Sequence, residues 1–190
     1  DILSECEKYG NADMVFEFAS TSKVTLPGAG ISCFACSEAN MDYMTKLIGI
    51  QAISFDKMNQ LRHVKFLQNK EHTLALMKEH AKILKPKFDM VVSTLEREIA
   101  PLGIATWHKP KGGYFVSVNT TPGLAKRTLA LCKEAGVVMT SAGATYPYGH
   151  DPADSNIRVA PSLPPVEELE QAMAVFCCCL KLAALEKSKK

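Results

Sequence analysis

Ser20-Thr21-Ser22-Lys23 is the stretch whose residue types invite chemistry. It sets an amine beside hydroxyls, where the apolar run Met14-Val15-Phe16-Glu17-Phe18-Ala19 gives way to a segment carrying Pro27, Gly28 and Gly30. A crowded ε-ammonium loses its proton more readily than a solvated one, and the neutral amine attacks carbonyl carbons to give a Schiff base. Two serines beside such an amine are placed to donate to a phosphate. Taken alone, the same residues also describe a solvated turn lysine with turn serines, so the rest of the chain has to decide. Arg158, in Asn156-Ile157-Arg158-Val159-Ala160-Pro161-Ser162, offers a planar guanidinium able to make two parallel bonds to a carboxylate. Alone it reads equally as a strand-end arginine in an ordinary ion pair.

Three stretches stand in a telling order: Ser20 to Lys23, Pro110-Lys111-Gly112-Gly113-Tyr114-Phe115, and Asn156 to Ser162. Their order and spacing resemble the pyridoxal-phosphate-dependent class I aminotransferases, and together they cover most of the chain. Lys23 to Gly30 and Gly143-Ala144-Thr145-Tyr146-Pro147-Tyr148-Gly149 are similar to the aspartate-type branch. The resemblance is to the C-terminal half of such enzymes. It implies an α/β fold of type I, with the end of a large-domain parallel sheet in residues 1–70, then a long connecting helix and a small α+β domain in residues 71–190.

The resemblance also implies roles. Lys23 would hold pyridoxal phosphate as a Schiff base and move the proton during transfer of an amino group from an amino acid, aspartate among the candidates, to a 2-oxo acid. Ser20 and Ser22 would hold the cofactor phosphate, and Arg158 the substrate α-carboxylate. Gly113 would let backbone approach the substrate where a Cβ would collide, and Tyr146, with Tyr148, would lie on a loop over the site. Asp56 to His63 falls where the family often contributes to a partner subunit's site, so a homodimer is implied, with Lys57 or Arg62 facing a distal carboxylate. A solvated helix face explains those charges as well. One departure stands out: the family usually carries an arginine seven or eight residues after the lysine, and Gly30 and Ile31 occupy those positions.

The elements that must position these residues follow from periodicity. Ile2, Leu3 and Cys6 have helical spacing, and Met14 to Ala19 reads as a buried strand of a parallel sheet. Ile31 to Cys36 reads as a second strand. Ser37 caps a helix that Gly49 ends, Asp56 caps another, and a long helical pattern from Glu71 to Ile99 is interrupted at Pro86. Beyond it the pattern predicts strands at 103–108, 113–118, 137–140 and 157–160, with helices at 123–134 and 166–185. That alternation describes a compact α+β lobe.

Composition narrows the class. The chain has 190 residues, 47% hydrophobic and 22% charged, with net charge +2, the profile of an ordinary globular protein. Nothing in that balance suggests nucleic acid. There is no run of eighteen apolar residues and no charged leader, so no membrane partner is expected. The sequence opens on what reads as the middle of an amphipathic helix, from which we expect an upstream part. That part would hold the family's acidic partner for the pyridine nitrogen, and the 190 residues alone would be inactive. Seven cysteines form no disulfide framework, which favours a reducing, cytoplasmic setting. Cys177, Cys178 and Cys179 read as small core residues, and Cys33 with Cys36 lacks a second ligand pair, so no metal is expected. The five histidines, His63 included, show no ligand spacing. Two other functions share the motifs: a ligand-sensing aminotransferase-like module of a transcription regulator, and a pyridoxal-phosphate lyase.

Overall fold

The computed structural model describes residues Asp1–Lys189, and these divide into two compact units, 1–79 and 80–189. The division falls inside the longest helix. No helix among the described residues is long and apolar enough to cross a membrane.

The first unit opens with α1 (Ile2–Lys8), whose first turn is capped by the Asp1 carboxylate accepting from the Leu3 and Ser4 amides. Strands β1 (Phe16–Ser20) and β2 (Ser32–Cys36) follow as an antiparallel pair, in register from Phe16 opposite Cys36 to Ser20 opposite Ser32. Within the described residues the one partner of β1 is β2, and the pairing is antiparallel. The chain returns along β1 after only residues 21–31, too short a path for the crossover that parallel neighbours need. No residue of β1 is buried, and Phe18 is 76% exposed. Its ring stands 6.0 Å from that of Phe34, its cross-strand neighbour.

Helix α2 (Glu38–Gln51) starts where Ser37 accepts from the Asn40 amide. It runs through Gly49, which the sequence marked as its end, and stops at Ala52, where the backbone turns extended. A mid-helix glycine costs up to about 1 kcal/mol, too little to break a helix already propagating. Helix α3 (Lys57–Leu67) is capped by Asp56, whose carboxylate accepts from the Asn59 amide at 2.9 Å. Helix α4 (Lys70–Glu98) is continuous through Pro86.

In the second unit, β3 (Ala105–Trp107), β4 (Val116–Thr120) and β5 (Asn156–Val159) form an antiparallel sheet in that order. The two longer strands alternate cleanly. Val116, Val118, Ile157 and Val159 face a closed core, while Ser117 pairs with Arg158 and Asn119 with Asn156 on the other face. Helices α5 (Ala125–Glu134) and α6 (Val166–Ser188) complete the core with Leu131, Met173, Phe176 and Leu180, joined by Val91, Leu95 and Ile99. Burying a side chain such as Phe176 or Leu95 contributes about 1.5–3 kcal/mol.

Residues Val137–Thr140, expected as a strand, form none. The Val137 amide donates to the Cys132 carbonyl at 2.8 Å, and Gly136 has φ +88°, so the segment is tied to the end of α5 instead of joining the ladder. Of the three consecutive cysteines, Cys177 and Cys179 are buried but Cys178 is exposed, because three successive helical positions cannot all face one core. Burial pushes the Cys177 thiol up to about 11.

Candidate functional site

Lys23 sits in the middle of a single helical turn that begins where β1 ends. The Val24 and Thr25 amides both donate to the Thr21 carbonyl, at 2.9 and 3.0 Å, so residues 21–25 are wound once and then released. Ser20 donates its hydroxyl to Ser22 Oγ at 3.0 Å, and the Ser22 amide points back to Ser20 Oγ at 3.4 Å. The three residues expected to hold a phosphorylated carbonyl compound thus share one exposed turn. A Cβ on Gly30 would lie 3.2 Å from Ser22 Oγ and 3.4 Å from Ser22 Cα. The far arm of the loop packs directly on Ser22, so a side chain at position 30 would press on its hydroxyl. The donor set fits such a ligand: one amine for the carbonyl carbon, two neighbouring hydroxyls for the phosphate, and a glycine where a side chain would close the cradle.

Behind the turn lies a residue that sequence reasoning passed over. His63 of α3 is 2% exposed. Its Nδ1 is 2.9 Å from the Asn59 carbonyl, and its Nε2 is 2.8 Å from Thr25 Oγ1 and 3.3 Å from Thr21 Oγ1. Asn59, one helical turn earlier, donates its amide to the Ala29 carbonyl at 2.8 Å. The signal available in sequence was the spacing itself: Asn59 and His63 four apart on a helix, and Thr21 and Thr25 four apart across Lys23. Lys57 and Arg62 of the same helix are exposed.

The second unit gathers the remaining motifs. Arg158 projects from the polar face of the sheet, its guanidinium 4.7 Å from the centroid of the Phe115 ring. Its Nη2 donates to the Ala144 carbonyl at 3.2 Å. Asn156, two residues earlier on the same face, accepts from Thr145 Oγ1 at 2.7 Å and donates to Asn119 Oδ1 at 2.7 Å and Ser117 Oγ at 3.0 Å. The loop 143–149 is therefore laced to the sheet at two adjacent residues. Beneath it, the Asp151 carboxylate accepts from the amides of Asn156, Ser155 and Ala153, at 2.8, 2.7 and 2.9 Å. Those bonds, that of Asn156 foremost, hold its carboxyl below the usual carboxylate range. Gly143 is obligatory: with φ +82°, a Cβ there would fall 2.2 Å from the Gly149 carbonyl oxygen.

Gly113 meets a constraint within the chain itself. Nothing lies within 4 Å of where its Cβ would be, and the constraint is its φ of +88°, a conformation that glycine adopts without steric penalty. It turns the chain two residues ahead of Phe115. Tyr146 is 38% exposed and its amide donates to the Gly143 carbonyl at 2.9 Å. Tyr148 is wholly exposed, with φ +57°. Among the described residues no group of three His, Cys, Asp or Glu is placed to hold a metal ion.

Comparison with known proteins agrees with this geometry. An aspartate aminotransferase of Corynebacterium glutamicum is 46% identical over 186 residues, covering 98% of this chain and 43% of its own length. A crystal structure of an aspartate transaminase from C. glutamicum superposes with a TM-score of 0.92 at 45% identity, over 98% of this chain and 44% of that one. An α-aminoadipate aminotransferase from Thermus thermophilus, solved with N-(5'-phosphopyridoxyl)-L-leucine, shares the fold at a TM-score of 0.75 and 17% identity, over 97% of this chain and 46% of that one. The chain thus spans less than half the length of these relatives. The sequence pattern of the aspartate aminotransferase family matches residues 1–190, and the chain belongs to that family.

Proposed function

We propose that the protein containing these residues transfers an amino group from an amino acid to a 2-oxo acid, with pyridoxal phosphate carried on Lys23 and aspartate as the amino donor. The observation that carries this reading is the shared turn of Ser20, Ser22 and Lys23 in a chain of this family. Ser20 and Ser22 donate to the phosphate dianion, which hydroxyl donors bind with charge-assisted bonds. Pyridoxal phosphate, when bound, supplies the electron sink. Lys23 is the covalent tether and, as a neutral amine, accepts and returns the proton at substrate Cα. Arg158 takes the α-carboxylate through two parallel bonds, and Phe115 beneath it holds the guanidinium plane in one orientation. Gly113 and Tyr146 border the substrate.

In this reading residues 1–70 are the C-terminal part of a cofactor-binding domain, and residues 71–190 are the connecting helix and small domain. The protein works as a homodimer in the cytoplasm. The name of the C. glutamicum relative supports the aspartate assignment.

An amino-acid panel with and without a 2-oxo acid acceptor tests the proposal. Turnover of aspartate that requires the acceptor is the expected result. Product formation without acceptor would replace the transaminase by a lyase, and ligand binding without turnover by a sensing module. Arg158→Lys is expected to raise KM for every amino acid by roughly 10- to 100-fold, the effect of losing a hydrogen bond to a charged group.

A further inference from the structure

His63 joins the helix behind the Lys23 turn to both ends of that turn. A carbonyl oxygen only accepts, so the Nδ1 that faces the Asn59 carbonyl at 2.9 Å carries a proton. In the neutral ring Nε2 is then an acceptor, and the hydroxyls of Thr25 at 2.8 Å and Thr21 at 3.3 Å are the donors in reach. Thr21 is fixed from its other side, where the Ile31 amide donates to its Oγ1 at 2.9 Å. Thr21 and Thr25 stand two residues before and two after Lys23. In a single helical turn the middle residue lies across from two positions four apart. That arrangement agrees with exposure: the threonines are half-buried and the lysine is exposed.

We propose that His63 is a positioning residue for Lys23, its Nε2 accepting from Thr25 so that the turn is clamped with Lys23 on its exposed side. The reading of Lys23 as cofactor tether, given above, is what this inference deepens. The imidazole does not touch the reacting atoms. It acts through the backbone of residues 21–25, and Asn59 holds the other arm of the same loop at Ala29.

The test uses the full-length protein as wild type, His63→Gln, His63→Asn, Thr25→Val and the double variant His63→Asn/Thr25→Val, each checked for folding by circular dichroism. Glutamine is long enough to present an amide oxygen near the position of Nε2, whereas asparagine is too short. Valine keeps the shape of threonine and removes its hydroxyl. The first readout needs no cofactor: the rate at which trace acetic anhydride acylates Lys23, relative to exposed Lys46 of α2, measured by peptide mass. His63→Asn and Thr25→Val are each expected to change this ratio by about fivefold or more, the size of one buried hydrogen bond. His63→Gln should stay within about twofold of wild type, and the double variant should go no further than either single one.

An unchanged ratio in His63→Asn, or additive effects in the double variant, would overturn the proposal. The second readout is the absorption band of added pyridoxal phosphate, which should shift in the same order across the variants. Should the wild type form no such band, the reading of Lys23 as tether fails, while the acylation ratios still decide the role of His63.

Discussion

Asp151 shows how one side chain sets up another. Its carboxylate collects the amides of Ala153, Ser155 and Asn156, so β5 enters the sheet with Asn156 and Arg158 already in register. The bonds favour the ionised form, the folded-state pKa lies below the unfolded value of about 3.9, and the sign follows. The contribution is complete above about pH 4 and is lost as pH falls through the lower, folded value. We expect acid unfolding monitored by fluorescence of Trp107 to have a steeper limb below pH 4 in the wild type than in Asp151→Asn, which cannot titrate. An identical acid limb in the two proteins would contradict this. At this scale Lys23, Ser20, Ser22 and Arg158 stood out in the sequence because their types are chemically particular, and the fold brings the first three into one turn. His63 did not, because its four-residue spacing from Asn59 acquires a meaning only when the loop bearing Thr21 and Thr25 folds over it. Gly113 has a positive φ, a need that its letter in the sequence does not distinguish from close approach to a ligand.

At the scale of elements, α3 governs the lysine loop. The Asp56 cap holds the first turn through the Asn59 amide, and Asn59 and His63 then reach the two arms of residues 20–31. Asp56→Ala should cost about 1 kcal/mol in denaturant unfolding and should also raise proteolytic cleavage between residues 21 and 31. Loss of stability without any change in that loop would mean the helix and the loop are not coupled. The helices capped by Ser37 and Asp56 could be read from sequence because the cap residue precedes a periodic run. The antiparallel pairing of β1 with β2 could not, since a short apolar run looks alike in either direction. Val137–Thr140 has the composition of a strand, but the bond of Val137 to Cys132, made as Gly136 turns the chain at the end of α5, is a local helix cap that outweighs β propensity.

At the scale of the molecule the two units differ in kind. Among the described residues of 1–79, His63 alone is buried, and Phe18, Ile50, Ile53 and Met58 are each more than 70% exposed. Residues 80–189 instead enclose a continuous core from Val91 to Ala183. Protection against hydrogen exchange follows buried packing. In the 190-residue chain the slowest amides should therefore map to Val116, Val118, Ile157 and Val159, and those of β1 and β2 should exchange faster. Equal protection in both sets would contradict this picture. The contrast was hidden in the sequence because both halves carry apolar residues at regular spacing, and only the folded chain shows which of them find partners.

The central claim is that Lys23 is the cofactor-bearing amine. Its most direct test is to saturate the full-length protein with pyridoxal phosphate, reduce it with borohydride and locate the reduced phosphopyridoxyl group by peptide mass. The group is expected on Lys23, in the turn shared with Ser20 and Ser22, and should be lost in Lys23→Ala. A label on another lysine, or none on the saturated protein, would contradict it.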